Sequence, residues 1–234
     1  LTMRAEIEGK SVDSLSRVSV AAEAPLLRSF HIGGAVDRAS DHLVPNAPTD
    51  LSARGWAGVR VRDLWIDAGL LRRGKAALVA PKAFGDTSGL TVDEPVSGQT
   101  LRIHGRVYEA LFADLMALRW SDTAAAVYRP KYQTRSELFV QTGLPDRFRN
   151  GEFNMLISVR HEYRSASLMP VPGSPDLLRA QGERAVSALV EFRVYSAVAS
   201  WQIRNVLGTR NYEWPNYLAP RTTNFYGVRW EFWN

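Results

Sequence analysis

The sequence predicts an all-β protein: an antiparallel transmembrane β-barrel, or the C-terminal ten or so strands of one. Three observations predict it. Apolar and polar residues alternate with period two over many segments. The breaks between those segments are of two kinds, tight or long. The polar parity is rich in Arg and Glu and nearly free of Lys, which supplies only 4 of the 29 basic residues.

Each strand follows from its own alternation. Over 101–107, Leu101, Ile103 and Val107 share one parity, while Arg102, His104 and Arg106 share the other. Over 132–140, Gln133, Arg135 and Glu137 fall together. Over 153–162, Phe153, Met155, Ile157 and Val159 stand against Asn154, Ser158, Arg160 and Glu162. Ala188, Val190, Phe192 and Val194 stand against Leu189, Glu191 and Arg193, and Tyr226, Val228, Trp230 and Phe232 against Gly227, Arg229 and Glu231. Val107–Arg119 has helix-favouring composition but no N-cap. Two strands joined by a tight turn near Glu109 to Leu111 suit its neighbours better. In 55–73 the parity slips, which a turn or bulge near Arg62-Asp63 explains.

Tight breaks are expected at Glu23-Ala24-Pro25 and at 145–151, and long ones at 37–54, 81–98, 165–184 and 208–220. Long structureless loops count against a compact soluble domain. Short turns at one end and long loops at the other are what a transmembrane barrel has. Trp201, Trp214, Trp230 and Trp233, with Tyr195, Tyr212, Tyr217 and Tyr226, crowd the C-terminal end, several at expected strand ends where aromatic girdles form. A soluble sandwich with aromatic cross-strand pairs accounts for the aromatics equally well. The scarcity of Lys and the strand lengths favour the barrel.

Composition sets bounds. The chain has 234 residues, 45% hydrophobic and 23% charged, with net charge +5 and no Cys. This fits one domain, or one large piece of a bigger one, and excludes disulfide scaffolds, iron–sulfur clusters and thiolate zinc sites. There is no run of 18 uncharged apolar residues for a transmembrane helix. The Arg residues are scattered singly, without the stripe or tail of a nucleic-acid binder, so no nucleic-acid partner is expected.

Chemical motifs give little. Gly69 to Ala76 nearly spells a phosphate-binding loop, but Ala76 replaces the Ser or Thr that would hold Mg²⁺. His161-Glu162 lacks the second His of a zinc helix, since position 165 is Ser165. His31, His42, His104 and His161 show no ligand spacing, although His104 and His161 fall on or near the polar parity. Asp63 and Asp67 share a face if they lie on one strand, and a solvated pair is the ordinary expectation. No metal, cofactor or catalytic residue is expected.

The last quarter of the chain carries a resemblance. An amphipathic strand over 194–204 runs into Asn205-Val206-Leu207. Tyr212 follows, then Pro220-Arg221-Thr222, then the strand Gly227-Val228-Arg229-Trp230-Glu231-Phe232. This resembles the C-terminus of TonB-dependent outer-membrane receptors, with the specific likeness over 186–234. Residues 99–185 are compatible with it, and 1–98 are only β-like. Trp233 and Asn234 depart from the family's usual aromatic end.

The resemblance implies an outer-membrane location, uptake of a scarce nutrient, and recognition of Tyr226, Val228, Trp230 and Phe232 by the barrel-assembly machinery. It also implies partners that no segment here matches: a plug domain and the N-terminal half of a barrel of roughly 22 strands. Arg102, His104, Arg106, Arg135, Arg160, Arg193 and Arg229 are then the expected lumen-facing residues, favouring anionic ligands or buttressing a plug. Three other readings stay open: a small self-contained structural or adhesive barrel, a membrane-embedded barrel enzyme, and a soluble β-sandwich.

Overall fold

The computed structural model describes residues 2–6, 15–41, 49–79, 90–121, 129–144, 148, 152–170, 177–214 and 217–230. All its regular structure is strand. The elements are β1 (Thr2–Glu6), β2 (Leu15–Leu27), β3 (Phe30–Asp41), β4 (Asp50–Val61), β5 (Leu64–Arg73), β6 (Ala76–Val79), β7 (Leu90–Asp93), β8 (Val96–Tyr108), β9 (Leu111–Trp120) and β10 (Tyr132–Thr142). They continue with β11 (Phe153–Arg164), β12 (Ser167–Pro170), β13 (Leu177–Ala180), β14 (Glu183–Val194), β15 (Ala197–Arg204), β16 (Tyr212–Trp214), β17 (Tyr217–Leu218) and β18 (Thr223–Trp230).

Twelve strands form one antiparallel sheet in the order β1-β2-β3-β4-β5-β8-β9-β10-β11-β14-β15-β18, a meander in which each strand pairs with its neighbour in the chain path. The other six form three two-stranded hairpins, β6-β7, β12-β13 and β16-β17, each inside a long connection. Thus 74–95, 165–182 and 205–222 carry hairpins of their own, which is why such long connections are stable. Tight connections lie at the opposite end of the sheet: 28–29, 62–63, 109–110 and 195–196.

The expected turns at Arg62-Asp63 and at Glu109 are both present. Arg62, Glu109 and Tyr195 open their turns in the left-handed region (φ 58°, 39° and 53°). The expected break at Glu23-Ala24-Pro25 is corrected: those residues lie inside β2, and the chain turns at Arg28-Ser29. The register with β3 shifts between Pro25 and Leu27. A bulge there accommodates the N–H that Pro25 lacks, so the strand runs through. The sheet also has twelve strands where about ten were expected.

Registers assign every strand residue to a face, because directly opposed residues share one. The chain of partners Pro25, His31, Gly58, Asp67, Arg102, Met116, Arg135 and Glu162 runs across eight strands on one face. The row Ile32, Ala57, Ala68, Leu101, Ala117, Thr134 and Tyr163 runs on the other. The second face is apolar and largely open: Leu70 is 68% exposed, Leu138 52%, Val228 63% and Tyr226 76%. The sheet curls toward the first face, so that residues of β2 and β9 line one cavity. The apolar face is therefore the convex one. β1 and β18 are the two edges; they are not hydrogen-bonded to each other, and the sheet is not closed.

Asn205 fastens the last long connection to the sheet. It is buried, with φ 51°, a region Asn tolerates better than most residues. Its Nδ2 donates to the Thr209 carbonyl (2.8 Å), and its Oδ1 accepts from the Thr209 N–H (3.2 Å) and hydroxyl (2.8 Å). Its own carbonyl accepts from the Thr222 hydroxyl (3.1 Å). Asn205-Val206-Leu207 and Pro220-Arg221-Thr222 are thus two halves of one knot.

Replacing Asn205 with Ala leaves the Thr209 N–H unpaired and puts at positive φ a residue without the short polar side chain that lets Asn tolerate that region. The expected loss is about 2 kcal/mol, read as a lower denaturant midpoint with unchanged slope. Thr222→Val, which removes one hydrogen bond, should cost about 1 kcal/mol.

Candidate functional site on the concave face

The concave face of β4, β5, β8 and β9 holds a cluster built around Asp67. His31, Gly58 and Asp67 are successive partners across β3, β4 and β5. A β-carbon at Gly58 would overlap both the Asp67 carboxylate and the His31 ring, so the missing side chain is what lets these two meet. His31 Nε2 lies 3.0 Å from Asp67 Oδ1, a close contact without hydrogen-bond geometry. From the other side, His104 Nε2 lies 3.1 Å from Asp67 Oδ2. One carboxylate is shared by two imidazoles.

Ion pairs continue the pattern around it. Arg102 donates through Nη2 to Asp114 Oδ2 (2.9 Å). At the tight-turn end, Arg106 donates to Asp63 Oδ2 through Nη2 (2.8 Å) and Nε (3.1 Å), and Arg60 reaches Asp63 Oδ1 (3.3 Å). On β10 and β11, Glu137 accepts from Arg160 (2.9 Å) and lies 3.6 Å from Arg135. Arg164 pairs with Glu183 (2.6 Å) and Arg73 with Asp50 (3.0 Å). Two guanidiniums beside Asp63, Arg106 by hydrogen bond and charge and then Arg60, hold its carboxyl below the usual range.

Trp56 and Trp65 supply apolar wall between the charges. The Trp56 ring lies where a side chain at Gly33 would be, and Arg54 sits 5.4 Å over it. The His31 ring meets Trp65 edge-on, with centroids 4.7 Å apart. Together His31, Trp56, Trp65, Asp67, Arg102 and His104 line a cavity of about 990 Å³, which also takes in Arg54 and Glu23.

All seven expected lumen residues lie on this concave parity. Five are engaged in the ion-pair ladder: Arg102, His104, Arg106, Arg135 and Arg160. Arg193 and Arg229 flank Val198 in register on β14 and β18, away from the Asp67 cluster. Tyr226, Val228 and Trp230 lie on the exposed convex face of β18, while Phe232 falls outside the described residues. His161 is corrected: it lies on the convex parity, one residue from Arg160.

Sequence reasoning missed Asp67, Asp114, Glu137 and His31 as partners. Parity places each on the polar face, but only the register says which are neighbours. Asp63 is ion-paired with Arg106 and Arg60, and Asp67 is in contact with His31 and His104, so the two are not a solvated pair. Among the described residues no group of three or more His, Asp or Glu could hold a metal ion. Compared with protein-family models and with curated proteins, the sequence matches none.

A depressed carboxyl contributes stability above the ordinary Asp range, near pH 3.9; that contribution is lost as pH falls through the lowered value. Asp63 should therefore titrate below an ordinary Asp in carboxyl NMR. Arg106→Gln should move its midpoint back up, and the Arg60→Gln shift should be smaller.

Proposed function

We propose that this chain is part of the wall of an outer-membrane β-barrel, the C-terminal part of a receptor of the TonB-dependent type. The observation that carries the membrane reading is the confinement of strand carboxylates to the concave face across the eleven sheet strands from β2 to β18. On the described convex positions of β2 to β18 there is no Asp or Glu. Every strand carboxylate named above stands on the concave face. Water does not demand this, whereas hydrocarbon does. Strand length is compatible with the same reading: the sheet strands from β2 to β14 have 10–13 residues, enough for the about 9–11 of a tilted span, and β15 and β18 have 8 each.

The receptor role rests on the resemblance over 186–234 and on the Asn205 knot that unites its two motifs. In this reading the ordered hairpins of the long connections face outward from the cell, and the tight turns face the periplasm. β18 presents Tyr226, Val228 and Trp230 to lipid and to the barrel-assembly machinery. The cavity around Asp67 opens to the lumen. Since Arg102, His104, Arg106, Arg135 and Arg160 each face a carboxylate, their first job is bracing the wall, and the nutrient or the plug meets other polar and aromatic surface. The open edges at β1 and β18 favour closure with further strands of an N-terminal half over a small self-contained barrel.

Two experiments test the reading. Protein folded in detergent or vesicles should become protease-resistant, and it should sediment with vesicles after carbonate washing. Free solubility without detergent would leave a soluble β-sheet module in its place. Second, Arg substitutions should discriminate the faces. Leu138→Arg, at mid-strand on the convex face, should cost about 2–4 kcal/mol in vesicles. Gln202→Arg on the concave face should cost under about 1 kcal/mol. Equal costs would remove the lipid-facing assignment.

A further inference from the structure

Among the described residues of the sheet, the convex face carries charge of one sign only, at nearly one height. Four arginines interrupt its apolar surface: Arg38 on β3, Arg72 on β5, Arg119 on β9 and Arg184 on β14. All four are exposed, and none makes an ion pair among the described residues. Arg38, Arg72 and Arg119 each stand eight residues past the first residue of their strand, Phe30, Leu64 and Leu111. Arg184 stands ten before Val194, the last residue of its strand. The four thus lie at nearly one height above the tight turns. At about 3.3 Å per residue and a tilt of about 35–45°, that height is roughly 20–25 Å. This is the top of an apolar band about 25 Å tall.

Beneath this girdle the convex surface is hollowed. Ala57, Ala68, Leu101 and Ala117 form one cross-strand row, and with Gly55 and Leu70 they line a cavity of about 730 Å³. Its upper end is closed by Gln99, Arg119 and Tyr132, which are direct partners on β8, β9 and β10. The Arg119 guanidinium lies 5.9 Å over the Tyr132 ring, and the Lys131 ammonium lies 5.8 Å from it. Arg72 projects one pair above, opposite Ser97. The order along the surface is apolar groove, aromatic ring, cations.

We infer that this groove and girdle form a binding site for a phosphorylated acyl lipid of the outer leaflet. The acyl chain packs across Ala117, Leu101, Ala68 and Ala57, and the phosphate is held by Arg119 with Arg72 and Lys131. Charge complementarity selects the occupant. An uncharged lipid leaves the cations unmatched, and an acidic protein partner would not need an apolar groove below them. Guanidinium suits phosphate because its donors reach two oxygens at once. The site rests on the membrane reading above, since in a soluble protein this face would meet water.

The test uses the full 234-residue chain in phosphatidylcholine nanodiscs, with or without a minor fraction of diphosphoryl lipid A. Native mass spectrometry and spin-labelled lipid contact report which lipid stays on the protein. The expected result is at least about tenfold enrichment of diphosphoryl lipid A over phosphatidylcholine, undisturbed by millimolar inorganic phosphate. Enrichment should fall to near unity in Arg72→Gln/Arg119→Gln. Ala117→Phe, which fills the groove and leaves the charges, should weaken it severalfold. Arg102→Gln, on the concave face, should leave it unchanged. Insertion without enrichment, or enrichment that survives Arg72→Gln/Arg119→Gln, would overturn the lipid site and leave the barrel reading standing. Free solubility of the folded chain with neither detergent nor lipid would overturn both. Displacement by inorganic phosphate would reduce the site to a free-anion site and overturn the lipid assignment.

Discussion

Register is the constraint on which the rest of this structure depends. With a side-chain period of two, a slip of one residue in any strand exchanges its two faces. In β8 that slip would carry Arg102, His104 and Arg106 to the convex surface and bring Leu101 and Ile103 among the carboxylates. The same holds for β10, with Arg135 and Glu137, and for β14, with Glu191 and Arg193. Tight turns at 62–63, 109–110 and 195–196 fix each hairpin locally, and the charge pairs then check the result across strands. Where Pro25 interrupts the ladder, the bulge absorbs one residue within β2 and the alternation resumes on both sides.

The ion-pair ladder belongs to this logic. Exposed pairs such as Arg102–Asp114 contribute little individually, of the order of 0–1 kcal/mol. Their combined effect is selective, because in any other register the same groups meet like charges or apolar neighbours. Asp67 shows how far the arrangement goes. It serves two histidines from two strands on opposite sides, and a glycine at position 58 makes room for one of those contacts. A larger residue there would separate β3 from β5 chemically while leaving the backbone ladder intact.

How much of this could be read from the sequence follows from what alternation encodes. Parity is local, so the faces of β8, β10, β11, β14 and β18 were legible, as were the turns at Arg62-Asp63 and Glu109. Neighbour relations are not local. His31 and His104 are separated by most of three hairpins, and nothing in their spacing announces that both meet Asp67. Pro25 misled because proline ordinarily stops a strand, and only the partner strand reveals the bulge. The convex arginines were hidden for a related reason. Arg72 follows Leu71 and Arg73 follows Arg72, so the sequence shows a basic cluster at a strand end. Only the pairings of β5 separate Arg73, bound to Asp50 inside, from Arg72 outside.

The two faces place opposite demands on the same strands, and the edges show where they are reconciled. A twelve-stranded meander ends in two rows of unpaired N–H and C=O groups, at β1 and at β18. In water an edge can be hydrated or blunted by lysine and bulges. Next to hydrocarbon each unmatched group costs several kcal/mol, which only another strand removes. β18 has no Lys or Pro and one charge, Arg229, on its concave side, while Tyr226, Val228 and Trp230 make its convex side strongly apolar. In the barrel proposed above, a further strand covers this edge. The curl of the sheet toward its charged face sets the direction in which further strands would continue the wall, around the cavity that His31, Asp67 and His104 already line.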